Sequence, residues 1–502
     1  MTTHTFVGAI DQGTTGTRFI VFDRDGTPVG RAYAQHEQST PEPNRMEQSP
    51  ESIWECTKSV VRDGLSDAGI DADHLAALGI ANQRETALLW DAATGEPVGD
   101  AIGWQDRRTT EKFEEVVSTN EALIRRITGL QPDPYFSAAK LTWLLERGDD
   151  AQRRKERAAA GELRFGTIDS WLVYNLTGRH VTDVTNASRT MLFDIDTLAW
   201  SERLCDAFDV PREMLPTVCP SSDPDAYGET DSDGFLEASV PVTAAMGDQQ
   251  ASLFGQACFE SGEAKNTYGT GSFLLACTGR ERVRSEHGLL ETIGFQCAGD
   301  DVRYALEGPV FEAGSALEWL RDVSLLTDIT EIASAVQRVD TSEGVYVVPA
   351  FSGLGAPQWD ETARGTILGL TRETRREHVL LATLESIGYR IRDVVSAVEA
   401  DLGRQLSELR IDGAATKNDY FSQLQADLIQ RPVVRPRVDA TNALGAAYAA
   451  GLAVGYWESL EELREITEWT QRFSPQMNAD DAAAKYRRWT DAVSRAMDWE
   501  RT

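Results

Sequence analysis

Residues 9–23, "AIDQGTTGTRFIVFD", set a glycine and threonine turn between two apolar runs. The first run, Phe6 to Ile10, meets Asp11; the second, Phe19 to Phe22, ends at Asp23. The pattern reads as strand, turn, strand. Gly13, Thr14, Thr15, Gly16 and Thr17 allow backbone N–H groups to converge while hydroxyls point inward, a concavity suited to phosphate oxygens. Asp11, just before the turn, would repel a phosphate unless a divalent cation stood between them, so the stretch reads as a grip for a magnesium nucleotide. On this fragment alone, a hairpin shaped only by turn preferences accounts for the residues equally well.

A second unit of the same kind begins near residue 264, where "AKNTYGTGSFLLACTG" again places glycine and threonine between strand-like runs. Two such hairpins, one in each half, predict a duplicated α/β architecture with both turns facing a shared cleft. This symmetry divides the chain into 1–253 and 254–502, and a chain of 502 residues is in any case too long for one compact core. "DRDGTPV" (23–29) carries an Asp-Gly hairpin signal leading to a third strand. Helices are expected near 51–70, 109–127, 137–160, 376–400 and 440–454, the first capped by Ser49 with Pro50 in its first turn. "LAALGIANQRETALLWD" reads as strand, polar turn, strand, and "VYVVPAF" as a further strand.

The chain holds 49 Lys+Arg against 80 Asp+Glu, a net charge of −31, and only seven of the basic residues are lysine. Such a surface argues against nucleic acid as a partner, because phosphate contacts need basic side chains. Acid spread along the whole chain, with arginine in place of lysine, predicts a halophile's protein that stays hydrated when salt screens its charges. Its stability should then hold or rise as KCl goes from low to molar levels. No run of about 18 apolar residues and no export signal is evident, so a cytoplasmic protein without a membrane span is expected. The six cysteines (Cys56, Cys205, Cys219, Cys258, Cys277, Cys297) form no Cys-x-x-Cys pair and read as reduced thiols. Six dispersed histidines suggest that any catalytic base is a carboxylate.

The lysine-bearing phosphate loop and the protein kinase signatures are both missing, so any ATP is held another way. Gly269, Thr270 and Gly271 supply a second phosphate-facing turn from the opposite half. Taken together, "DQGTTGTR", "NQRET", "DPYFS", "GDQQASLFGQ", "NTYGTGSF" and "DGAATKND" resemble the FGGY carbohydrate kinases, and among them the members that phosphorylate glycerol. The resemblance covers nearly the whole chain. It implies two actin-like (ribonuclease H-like) α/β domains around a cleft, with glycerol deep and ATP nearer the mouth, and transfer of the γ-phosphoryl group to a terminal hydroxyl to give sn-glycerol 3-phosphate.

Asp248 follows a short apolar stretch, Val242 to Met246, and Gly247, as expected for a carboxylate at a strand end. It is the candidate base for the hydroxyl proton, and a helix-capping role is compatible with that. By resemblance, Arg84, Glu85, Tyr135, Asp248 and Gln249 bind the hydroxyls while Trp104 and Phe273 pack on the carbons. Taken singly, Arg84 and Glu85 would be a surface ion pair and the aromatics core residues. On the nucleotide side the resemblance implies Thr14, Thr15 and Gly16 with Thr270 at the phosphates, and Arg18 near the γ-phosphate. Asp11 and Asp248 would hold Mg²⁺ largely through its waters. Gly314, Ala414 and Asn418 would line the adenosine site. Two positions depart from the family pattern: Ala414 stands where a second glycine is usual, and Glu318 where glutamine is common.

The acidic "ETDSDGFLE" (229–237) replaces a glycine- and arginine-containing loop of relatives inhibited by fructose 1,6-bisphosphate, so no such inhibition is expected, nor is activation by histidine phosphorylation. The family implies a homodimer or homotetramer. The alternatives are a kinase of the same family acting on another polyol or sugar such as xylulose, and an actin- or Hsp70-like ATPase that drives protein binding.

Overall fold

The computed structural model describes residues 5–500. In the first half, β1 (Phe6–Gln12), β2 (Gly16–Phe22), β3 (Pro28–Gln35), β4 (Leu75–Asn82) and β5 (Val242–Gly247) form one sheet in the order β5-β4-β1-β2-β3. β1, β2 and β3 are antiparallel neighbours, whereas β4 runs parallel to β1 and β5 parallel to β4. The second half contains β6 (Ala264–Tyr268), β7 (Ser272–Gly279), β8 (Leu290–Phe295), β9 (Arg303–Val310), β10 (Leu409–Gly413), β11 (Val433–Pro436) and β12 (Trp469–Phe473), in the order β8-β9-β7-β6-β10-β11-β12. Its central five strands repeat the order and directions of the first sheet, with β8 and β12 added at the edges. This is the duplication that the paired hairpins predict, in the actin-like form that the family resemblance implies.

The parallel strands are buried on both faces by helices, which is why they read as unbroken apolar runs. Helix α1 (Pro50–Ala68) lies on β2 and β3; the Ser49 side chain accepts the Ser52 N–H at its start, and Gly69 ends it in the left-handed conformation. Helix α2 (Asp248–Gly255) follows β5 directly, and the sequence-derived division at 253 falls inside it. From the second half, α3 (Arg376–Leu402) and α4 (Asp419–Ile429) cover their own sheet, while α5 (Thr441–Ala453) crosses to pack on α2, β4 and β1 of the first. That crossing depends on absent side chains: a Cβ on Gly445 would fall 1.8 Å from the Ala251 carbonyl oxygen, and one on Gly79 2.1 Å from that of Ala446.

The region expected to be helical over 137–160 is two helices, Ser137–Glu146 and Ala151–Ala159. Gly148, at φ 69°, leaves the helical conformation between them, and the second helix begins after Asp149 and Asp150. The first of the two helices belongs to a lobe whose apolar core, including Phe136, Leu144 and Phe208, also takes in Leu290, Ile293 and Tyr304 of β8 and β9. The two halves therefore share a core at this end. Among the described residues no helix is long and apolar enough to cross a membrane, and the six cysteines carry free thiols.

Candidate active site

Three parallel strands of the first sheet deliver chemistry at their carboxyl ends, the position where open α/β sheets bind ligands. Asp11 is the penultimate residue of β1, "NQRET" begins at the last residue of β4, and Asp248 follows β5. The turn after β1 is closed by the Gly13 N–H on the Gly16 carbonyl at 2.9 Å; its counterpart after β6 is closed by Gly269 on Gly271, also at 2.9 Å. Thr15 and Thr270 are exposed at the tips. Register places Arg18 opposite Asp11, and their side chains stand 3.5 Å apart. Burial pushes the Asp11 carboxyl up to about 6; Arg18 opposes the shift and the negative charge of Asp248 adds to it.

Behind the first turn lies an uncharged relay. Gln83 donates to Gln48 at 2.7 Å and to Gln12 at 3.1 Å, and Gln48 donates to the Thr14 carbonyl at 3.1 Å. The phosphate turn is thereby fastened to the segment that carries Arg84 and Glu85. Trp104 makes a second link, its indole N–H donating to the Thr14 hydroxyl at 3.0 Å. Its ring meets Tyr135 edge-on at 5.5 Å, and Phe273, from β7, lies 5.7 Å from the Arg84 guanidinium. The aromatic residues expected around the substrate carbons therefore gather from both halves.

Arg84 and Glu85 are buried at 3% and 1% exposure, and neither is a surface residue. Arg84 grips Glu307 of β9 with two bonds of 2.9 Å and reaches Asp248 through Nε at 3.2 Å. Arg189 joins Glu85 at 2.7 Å to Glu307 at 2.8 Å. Burial raises the Asp248 pKa against the pull of Arg84 and Lys265, while at Glu307 the two arginines outweigh burial and hold it below the ordinary carboxylate value. Glu85 sits at φ 63°, an uncommon backbone for a side chain of its size and one that clusters at functional sites.

Gln249 is turned by Lys265, whose ammonium donates to its Oε1 and, at 2.9 Å, to Thr267. With its oxygen occupied, the Gln249 amide group keeps its N–H donors for a ligand. Burial lowers the Lys265 pKa to about 8.

In the second half, Gly314 opens a helix whose first residues bond back to the second hairpin: Gly314 N–H to Gly269 O at 3.0 Å and Ser315 N–H to Thr270 O at 3.1 Å. Glu318 is exposed one turn further on. Ala414 is exposed in the turn after β10, and Asn418 caps α4, its side-chain Oδ1 accepting the Tyr420 N–H at 3.0 Å. Asp412, before them, accepts from Ser252 at 2.8 Å, Gln256 at 2.9 Å and Thr441, tying β10 to α2 and α5.

Arg189, Glu307, Lys265 and Lys140 escape sequence reasoning, although two of them carry a signal: in a chain with seven lysines, Lys140 and Lys265 are fully buried. Lys140 donates to the carbonyls of Pro134 at 3.2 Å, Phe136 at 3.3 Å and Tyr135, pinning the loop that presents Tyr135. Burial lowers its pKa from 10.5 to about 7. Between those values the unfolded chain binds the extra proton, so stability from this site rises with pH, and the full cost of the buried charge is felt below pH 7. Wild type should gain on the order of 2 kcal/mol over Lys140→Met between about pH 7 and pH 9 in urea melts. A difference that does not change with pH would mean that the buried amine keeps its proton.

Comparison with known proteins agrees with this geometry. The FGGY family of carbohydrate kinases, N-terminal domain, matches residues 6–255, and the FGGY C-terminal domain matches residues 264–454. A glycerol kinase of Halobacterium salinarum is 58% identical over 505 residues, covering 99% of each chain, and one of Haloferax volcanii is 56% identical over 509 residues, covering all of both. The crystal structure of Plasmodium falciparum glycerol kinase with ADP superposes with a TM-score of 0.92 at 35% identity, covering 98% of each chain. Two matched domains laid along one duplicated fold, with acid, arginine and hydroxyl groups brought to the ends of its parallel strands, make this chain a member of the FGGY family of carbohydrate kinases.

Proposed function

We propose that the protein transfers the γ-phosphoryl group of ATP to a terminal hydroxyl of glycerol, giving sn-glycerol 3-phosphate and ADP. The observation that carries this reading is the 58% identity, along 99% of both chains, to a kinase named for that substrate. Arg84, Glu85, Tyr135, Asp248 and Gln249 would hold the hydroxyls, and Trp104 and Phe273 would wall the carbons. A triol offers only hydroxyls and a short carbon face, and a charged floor under aromatic walls suits both.

Asp248 accepts the hydroxyl proton as the oxygen bonds to the γ-phosphorus and the bridging oxygen leaves with its electron pair on ADP. The turns at Thr14, Thr15 and Gly16 and at Thr270 would take the phosphates from opposite sides, with Arg18 supplying charge. Gly314, Ala414 and Asn418 would flank adenosine, with Glu318 near the base. Asp11 and Asp248 fit Mg²⁺: burial and the negative charge of Asp248 push the Asp11 carboxyl up to about 6 even with Arg18 beside it, and a hydrated divalent ion would favour both carboxylates as anions. When bound, that ion neutralises charge on the β- and γ-phosphates. The halves 1–253 and 254–502 would close on the cleft and exclude water. The acidic surface and the haloarchaeal relatives support work in a salt-rich cytoplasm, where a homodimer or homotetramer is proposed.

The test is ADP release from MgATP in molar KCl with glycerol, dihydroxyacetone, xylulose or gluconate, beside a control without polyol. Glycerol should stimulate release with matching glycerol 3-phosphate. A preference for xylulose would move the assignment to another substrate of this family, and release independent of every polyol would favour an ATPase.

A further inference from the structure

Arginine carries five N–H donors in one plane. In Arg84 three are hydrogen-bonded, Nη1 with Glu307 Oε2 at 2.9 Å and Gln250 Oε1 at 3.4 Å and Nη2 with Glu307 Oε1 at 2.9 Å, while Asp248 Oδ1 forms an ion pair with the group, 3.2 Å from Nε. Because Glu307 takes the outer end of the fork, the second N–H of Nη2 and the Nε–H share the remaining edge of the guanidinium, and Asp248 Oδ1 stands 3.2 Å from Nε. A substrate hydroxyl on that edge can accept from Arg84 and donate to Asp248 together.

Glu307 comes from the second half, on β9, and its side chain is fully buried. It has no freedom to follow a displaced arginine, and Arg189 fixes it from the other side at 2.8 Å.

We infer that Glu307 is a positioning residue of the polyol site, which selects the guanidinium edge that Arg84 offers to substrate and sets it beside the Asp248 carboxylate. This rests on the reading of the cleft as a polyol kinase site. It extends that reading by assigning part of the binding geometry to a residue that need not touch the substrate. An amide at position 307 would turn an NH₂ toward one Nη of Arg84, setting donor against donor, and the guanidinium would have to rotate off Asp248. A carboxylate one methylene shorter would keep the charge and draw the fork back.

The test compares Glu307→Gln and Glu307→Asp with wild type in molar KCl, using whichever polyol wild type phosphorylates best, so that an error about glycerol itself does not decide the result. Melting temperature and circular dichroism register folding separately. The expected result for Glu307→Gln is a KM for the polyol raised at least tenfold with the KM for MgATP changed less than twofold, and for Glu307→Asp a rise of at least threefold that remains below that of the amide. A polyol KM within twofold of wild type in a folded Glu307→Gln overturns the inference and leaves Glu307 a purely structural ion-pair partner. If that variant does not fold, Glu307→Asp decides alone: a selective rise in polyol KM supports the inference, and an unchanged one overturns it.

Discussion

Asp248→Asn should lower kcat about 10³-fold while binding of ADP without magnesium, followed by calorimetry, stays within about threefold of wild type. The factor lies in the middle of what a positioned base contributes, roughly 10²- to 10⁴-fold, and corresponds to ~4 kcal/mol of barrier. Asparagine has the shape of aspartate and can still accept from the Gln249 N–H, which lies 2.7 Å from Asp248 Oδ1. The variant therefore removes proton acceptance and one negative charge while sparing the helix start. About a quarter of the Asp248 side chain is exposed, so the carboxylate can meet a ligand without any rearrangement of the helix behind it. Turnover near that of wild type would mean that another group takes the proton.

Gly445→Ala should be nearly as damaging although it touches no substrate. The added methyl would lie 1.8 Å from Ala251 O and 2.8 Å from Gly255 N, both main-chain atoms that no rotamer change can move. Only separation of α2 from α5 relieves the clash, at a cost at or above the ~3 kcal/mol end of overpacking penalties. Asp248 stands three residues before Ala251 on α2, so the same displacement moves the base, and misplacement by about 1 Å can cost ~100-fold in rate. The expected outcome is a clear fall in the urea midpoint together with at least a tenfold lower kcat in the enzyme that remains folded. A variant with the wild-type midpoint and rate would show that the two helices already sit further apart.

The hairpins, the strand-to-helix step at Asp248 and the capped helix after Ser49 were all legible because each is a local pattern: a turn composition, an apolar run, a cap. Two of the residues that escape sequence reasoning, Arg189 and Glu307, act over long separations. Arg84 and Glu307 are 223 positions apart, and Arg189 and Glu307 are 118 apart. Within "RYALEGPV" a lone glutamate in a buried strand carries no mark of its partners. Arg84 and Glu85, neighbours in sequence, invite pairing with each other, yet the left-handed backbone at Glu85 turns them toward different partners. The split of the helix expected over 137–160 was visible in principle, since Gly148 and the two aspartates after it make a stop and a restart.

The burial of Lys140 and Lys265 has a consequence for covalent labelling. With those two sealed inside, amine-reactive reagents meet only the other five of the seven lysines. Lys417 is the most open of the five, with 72% of its side chain exposed and Asp439 facing it at 3.4 Å. It adjoins Asn418, which is proposed to flank adenosine. A fluorophore or surface linkage made through amines would therefore favour Lys417, beside that proposed site, and leave Lys140 and Lys265 unmodified.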